Sequence, residues 1–458
     1  MCEKSSNANV KSAGKPYWHS ARYLTWFTAD TAVASGAALR AVASALLVYA
    51  LCGSLSVAGA FTAAMQIYGL ALSAFGGTVV DRHSRRLMIG VNLGVQSAYG
   101  LFVVATLLAG RLTFVMYALA MVIMTTVSSL FGQATDAMMR SIVDDRDFAK
   151  AKTVNQGRDS TVEIVGGPLG GALYGIAPWV PYLVAGVICL LGAGCAFRLP
   201  SREQRSEDAR VGAQGAEDAD ASASDTAESA DDANGSGNGD ADNGKAAGRG
   251  AFFDDFREGW RFFFSCRTVP AMTLLFMLFN LAGVGLQYGV QLHLVGAHTD
   301  STLIGLVNAF AAVAGLVGAL LANRLVGRLA TGRILMLVLA VSIIGFAPLI
   351  ASSAYPLLVA ALCAAGLFTP LAEASALGFI FARTPDRMQG RMYTCVGVPC
   401  SVLAALSPAL DGWIIDRLGF TALAIIYETI LLLCLAMVLL LPALRGIPKP
   451  DHWSEAVL

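Results

Sequence analysis

The chain has 458 residues, of which 56% are hydrophobic and only 14% charged, with a mean hydropathy of +0.61 and a formal net charge of zero. A soluble domain carries about 25% charged residues, so this much apolar surface excludes a soluble globular protein and points to a membrane protein with many spans. The 32 Lys and Arg are spread over short loops and form no single basic patch, which excludes a nucleic-acid partner.

In chain order, residues 1–22 form a polar tail without the apolar core and cleavage site of a signal peptide, so the first membrane helix is expected to act as the insertion signal. Trp18, Tyr23 and Trp26 suit the membrane interface. Residues 23–198 hold six apolar segments, near 23–50, 55–80, 87–109, 112–138, 153–177 and 180–198. Residues 199–250 change character: the stretch 201–250 has twelve Asp or Glu, no aromatic residue and no Leu or Ile, a composition that predicts a disordered acidic linker. In 251–266, Phe252, Phe253, Phe256, Trp260 and Phe263 recur at helical spacing opposite charged residues, which predicts an amphipathic surface helix. Residues 267–442 hold six more apolar segments, near 269–293, 302–323, 334–353, 356–380, 393–415 and 420–442, and 443–458 form a second tail. The expected fold is all-α, with twelve transmembrane helices in two pseudo-symmetric six-helix bundles. Six plus six spans put both termini on one side of the membrane.

The basic residues say which side. Under this layout 28 of the 32 Lys and Arg fall on the side of the termini, whereas Arg111 and Arg417 face the opposite side and Arg40 and Arg158 lie within helices. The positive-inside rule then predicts a multi-pass protein of the plasma or inner membrane with cytoplasmic termini. Basic loops recur at matching places in the two halves: Asn323, Arg324, Arg328 and Arg333 follow the eighth segment as Asp81 to Arg86 follow the second. Two related bundles are what a rocking transporter needs, because they can tilt about one central site.

The run from Gly76 to Arg86, between the second and third segments, is expected to be a tight charged turn at the membrane surface. Gly77, Asp81, Arg82, Arg85 and Arg86 supply the pattern G-x-x-x-D-R-x-x-R-R and resemble the signature loop between helices 2 and 3 of the major facilitator superfamily, with Ser84 where a glycine is usual. In the fifth segment Gly167, Pro168, Gly170 and Gly171 resemble the G-P-x-x-G-G core of the motif of antiporter members, with Glu163 standing where that motif has a further glycine. The surface helix and Gln389-Gly390-Arg391 are similar to segments of the drug:proton antiporter branch that holds macrolide efflux pumps and the enterobactin exporter. The resemblance implies the twelve-helix fold and favours an exporter over a nutrient importer.

A charge at membrane depth needs a partner, a wet cavity or a function. The candidates are Asp30, Arg40, Arg158, Asp159, Glu163, Glu373 and Glu428. Glu163 falls near the midplane if its helix starts at 153, and Asp159 lies one turn before it on the same face. Glu163, helped by Asp159 or Asp30, with Arg40 nearby, is therefore a candidate for carrying the coupling proton; the alternative is a permanent ion pair of Arg40 or Arg158 with Asp30 or Glu163. Asp136 and Arg140, at the end of the fourth segment, are expected to join Asp81, Arg82 and Arg85 in a latch that holds the two halves together on the side of the termini. Asn280, Gln287 and Gln291 form one stripe on the seventh helix, suited either to contact a substrate or to bridge helices.

The nine cysteines are scattered without metal or redox spacing, and there is neither a nucleotide-binding Gly-Lys-Ser/Thr loop nor a His pair at metal spacing. No enzyme activity, cofactor or metal is expected. The function expected is secondary active transport, with a small-molecule substrate, protons and the lipid bilayer as partners and a monomer as the assembly. Proton-coupled efflux of an amphiphile by alternating access is the leading form of it, the substrate being drug-like, macrolide-like or siderophore-like. A proton-coupled nutrient importer and a non-transporting scaffold or sensor working through the acidic linker are the alternatives.

Overall fold

In hydrocarbon every backbone N–H and C=O must find an internal partner, and long apolar segments meet that demand as helices. A computed structural model describes residues 20–82, 84–143, 145–198, 257, 260–261, 263–266, 268–385 and 388–455. The first bundle comprises α1 (Ala21–Cys52), α2 (Leu55–Arg82), α3 (Arg85–Leu108), α4 (Phe114–Phe131) continued by α5 (Gln133–Ile142), α6 (Asp145–Ile176) and α7 (Val180–Ala196). The second comprises α8 (Thr268–Gly296), α9 (Ser301–Leu325), α10 (Thr331–Phe346) continued by the single turn α11 (Pro348–Ala351), α12 (Tyr355–Arg383), α13 (Gln389–Leu418) and α14 (Phe420–Leu440), and ends in the turn α15 (Pro442–Arg445) and a 3-10 helix (Pro450–Glu455). Among the described residues ten spans are long and apolar enough to cross a membrane; the shorter α7 and the more charged α6 complete twelve.

Helix ends follow local chemistry. Gly53, at φ +66°, closes α1 in a left-handed conformation and donates to Tyr49 O at 2.8 Å. Thr113 caps α4 by accepting from Met116 N, and Asp300 caps α9 by accepting from Thr302 N at 2.8 Å. The Thr302 amide holds the Asp300 carboxyl below the usual carboxylate range.

Three boundaries depart from expectation. The turn expected over Gly76–Arg86 is shorter than that, because α2 continues to Arg82 and α3 starts at Arg85. The charged stretch after α4 is mostly helical, as α5 and the first turns of α6, which begins at Asp145 and not near 153. Glu163 therefore sits about 27 Å from the start of its helix. Polar first turns can extend a membrane helix into water, where hydropathy gives no signal for them. The expected linker over 199–250 lies outside the described residues, as does most of the amphipathic segment; of the latter, the Trp260 ring meets Phe263 edge-on at 5.4 Å, and Phe263 is buried.

The two halves meet through two symmetry-related helix pairs, α2 with α13 and α6 with α9. Both seal at the side away from the termini, called the far side here; the opposite side is the terminal side. Small residues allow the approach: a Cβ at Gly412 would lie 2.2 Å from Leu55 O, and one at Gly305 would lie 2.3 Å from Gly167 O. Asp416 Oδ2 fastens the first pair by accepting from Ser54 Oγ (3.0 Å), Ser56 N (2.7 Å) and Ser56 Oγ (2.7 Å). Ser301 Oγ fastens the second by donating to Gly171 O at 2.7 Å. On the terminal side the tail straps the second bundle: Trp453 Nε1 donates to Thr331 Oγ1 at 3.1 Å, and its ring lies against Phe379 and Gly378.

Candidate functional site

Between the halves lies a cavity of two lobes. The terminal-side lobe, about 600 Å³, is lined by turns 153–160 of α6, by α8, by 308–319 of α9 and by α12 through Thr369, Pro370 and Glu373. The far-side lobe, about 630 Å³, is lined by α1, α2, α4 and α8, with Pro408 of α13. Glu163, Val284, Gln287 and Asn308 line both lobes and mark where they meet. The terminal-side turns of α6 and α9 thus face a shared lobe, while their far-side turns face each other. Pro168, Pro370 and Pro408 interrupt the backbone ladder of α6, α12 and α13 close to these walls, where a freed carbonyl can meet cavity water.

Glu163 projects into the cavity as an exposed side chain, without an ion-pair partner among the described residues. Its helical neighbours do not join it. Arg158 turns to α1, where Nη2 meets Asp30 Oδ2 at 2.5 Å and Asp159 Oδ1 at 2.7 Å, with Nε 3.1 Å from the same Asp159 oxygen. Arg158 also lies over the Phe27 ring, 5.1 Å from its centroid. Asp159, one turn before Glu163, is thereby turned to Arg158 and lines neither lobe. Asp30 is likewise engaged, in the permanent-pair arrangement that was the alternative for these residues.

Arg40 is buried but lines the far-side lobe. Its Nη2 donates to Gln96 Oε1 at 2.6 Å, Gln96 Nε2 donates to Asn92 Oδ1 at 3.3 Å, and Ser128 Oγ donates to Asn92 Oδ1 at 3.2 Å. Its guanidinium also lies 5.9 Å from the Tyr99 ring centroid. Among the described residues the cation is thus stabilised by an amide and an aromatic face and not by a carboxylate. Asn280 lines the terminal-side lobe, Gln287 both and Gln291 the far-side lobe, so the amide stripe runs the length of the cavity. Tyr288 accepts from Gln66 Nε2 at 3.0 Å across the two halves. In the helix 5 motif, Gly167 and Gly171 pack on α9, whereas Gly166 and Gly170 pack on Ala38 and Leu39 of α1.

Of the residues expected in the terminal-side latch, those with described side chains make the following contacts. Asp136 pairs with Lys152 at 2.9 Å, Arg140 lies 5.7 Å from the Phe148 ring centroid, Arg85 Nη1 donates to Ala137 O at 2.8 Å, and Arg86 donates to Phe197 O. These are all contacts within the first half. The side chains of Asp81 and Arg82 are not among those described. A fully buried acid was missed altogether: Asp411 on α13 accepts from the Tyr427 hydroxyl. An Asp between two apolar stretches of a membrane span was a legible signal for it.

A twelve-span helical protein in two halves, sealed on one side around a central, mostly apolar cavity with a few polar side chains, is built as a membrane transporter. The chain belongs to the Major Facilitator Superfamily, whose family model matches residues 26–295 and 273–456. Among solved structures it is similar to a bacterial homologue of the iron transporter ferroportin in an inward-facing state (15% identity, TM-score 0.61, covering 90% of this chain and 98% of that one). It is also similar to the nucleoside transporter NupG (10%, 0.65, 92% and 98%) and to a bacterial homologue of the human lysosomal transporter Spinster in an inward-facing, unoccupied conformation (14%, 0.60, 97% and 99%). At these identities the likeness is one of fold. No curated protein sequence matches the chain.

Proposed function

We propose that this transporter exports an amphiphilic small molecule bearing a protonated amine, in exchange for protons, by alternating access across the cell membrane. The carrying observation is Glu163, standing with Gln287 and Asn308 where the two lobes meet, accessible from both and without an ion-pair partner among the described residues. A carboxylate that a proton or a cationic substrate can occupy in turn is the element exchange requires. The charge of the terminal-side lobe supports the substrate class: Glu163 and Glu373 line it together with Asn280 and Asn308, and no Lys or Arg does. The apolar remainder, including Met65, Met121 and Met124 in the far-side lobe, suits a bulky hydrophobic body.

With the terminal side cytoplasmic, as the distribution of Lys and Arg supports, the state described here is open inward. The latch of Asp81, Arg82, Arg85, Arg86, Asp136 and Arg140 belongs, in this reading, to the opposite state, in which the terminal side closes. The test is efflux in everted vesicles over a panel of cationic, neutral and anionic fluorescent amphiphiles, with and without a pH gradient. Cationic members are expected to be transported when the gradient is present, and Glu163→Gln, at equal protein in the membrane, is expected to abolish this. Gradient-driven transport by Glu163→Gln at the parent rate overturns the assignment.

A further inference from the structure

The helix that carries the amide stripe has a second face. Away from Gln287 and Gln291, α8 presents Gly285 and Gly289 to α13 and α14, and these glycines make room for two polar side chains. A Cβ at 285 would lie 2.0 Å from Tyr427 Oη, and one at 289 would lie 3.7 Å from Asp411 Cγ. Asp411 is wholly buried; its Oδ1 accepts from Tyr427 and its Oδ2 is sealed from solvent without a hydrogen-bond partner. Among the described residues no Lys, Arg or His forms an ion pair with it.

The groups around it come from four elements. α8 contributes the two glycines and, one turn beyond, His293, which stacks on Phe420 at 4.4 Å. α14 contributes Tyr427, with buried Glu428 next in sequence. α13 itself carries Asp416 near its end, occupied by Ser54 and Ser56 of α2. α2 contributes Gly59, set against Pro408 and Gly412 on either side of Asp411. None of these supplies a positive charge to Asp411. An ionised carboxylate with a buried, unpartnered oxygen in a membrane interior is strongly disfavoured, whereas the neutral acid fits the site.

The position gives that proton a consequence. Pro408, one turn before Asp411, lines the far-side lobe, and Gly412 and Asp416, just after it, form the far-side seal with α2. Separating α2 from α13 would bring far-side water to within a turn of the carboxyl. We propose that Asp411 is a proton-binding site that sets the far-side gate: it is neutral while α2 and α13 are sealed and ionises when they part, so a proton taken from far-side water onto Oδ2 favours closure. This deepens the reading of proton-coupled exchange and rests on it for its physiological use. Glu163 is the group that exchanges its occupant, and Asp411 is a positioning residue that ties far-side pH to the return of the carrier. If the sealed state holds one more proton than the open state, their ratio changes by up to about tenfold per pH unit.

The test uses the full chain in liposomes without substrate, so its outcome is independent of the efflux assay. Spin labels at Val57→Cys on α2 and Leu418→Cys on α13, both exposed positions, in a background lacking other cysteines, report the seal as a distance distribution across roughly pH 5 to 9. The short-distance population is expected to fall as pH rises in the parent and to stay high at every pH in Asp411→Asn. A parent distribution that does not move with pH, or an Asp411→Asn profile like the parent's, overturns the proposal. Should Asp411→Asn fail to fold, Tyr427→Phe removes the hydroxyl that favours the ionised carboxylate; its midpoint is expected to move to higher pH, and an unmoved midpoint overturns the proposal equally.

Discussion

At Arg158 one guanidinium holds two carboxylates, and the two pairs differ in their surroundings. Arg158 and Asp30 are 10% and 18% exposed, so their attraction is poorly screened, whereas Asp159 at 47% is half in water and contributes little. Arg158→Ala would leave Asp30 without its cation and is expected to cost about 3 kcal/mol, read as a lower unfolding midpoint of the purified protein. Asp30→Asn in the same chain should recover part of that loss; no recovery would show that Arg158 acts through packing on Phe27 instead. The sequence flagged Asp30, Arg158 and Glu163 because charges in apolar segments stand out one by one. It offered Arg158 with Asp30 as one of several pairings but could not choose among them, since the two are 128 positions apart and the partner follows from how α1 meets α6. Arg40 was flagged for the same reason, but its partner Gln96, and Asn92 beyond it, were not, because which amide meets Arg40 follows from how α1 meets α3.

At the scale of elements, the far-side seal is a matter of backbone approach. Gly412 has no room for a side chain, as its Cβ would overlap Leu55 O, a backbone atom that can yield only if α2 moves. Gly412→Val should therefore disfavour the sealed state by roughly 1–3 kcal/mol, the usual range for overpacking, which corresponds to a shift of about fivefold to a hundredfold toward the far-side-open state. A cysteine placed at Gln291, in the far-side lobe, should then react faster with a membrane-impermeant maleimide applied from the far side. An unchanged rate would show that the two halves accommodate the extra volume without parting. The tail strap gives a second prediction at this scale. Trp453→Ala removes the bond to Thr331 and the contact with Phe379, and is expected to lower stability by roughly 2 kcal/mol, measured as earlier thermal unfolding. Segment positions were legible because each apolar run is close to a membrane thickness. The strap was not, because a short polar tail carries no periodicity, and neither was the helical reach of α5 and early α6, whose turns leave the apolar layer.

For the whole molecule, the sealed pairs and the cavity are the parts on which the proposed alternating access rests, and the segment between the bundles belongs to neither. Every residue that lines either lobe, fastens α2 to α13 or fastens α6 to α9 lies outside positions 205–245. The acidic composition of that segment left open a sensor that works through it, and the two readings separate cleanly. If transport resides in the bundles, deleting 205–245 should preserve gradient-driven efflux in everted vesicles, because the site, the seal and the proton-binding groups all remain. Loss of efflux with protein still present in the membrane would mean that the segment takes part in the cycle itself. Retained efflux would confine the acidic stretch to tethering two halves whose relative tilt is set by the glycine-lined contacts at Gly412 and Gly305, and it would leave far-side pH, acting at Asp411, as the input that reaches those contacts from outside.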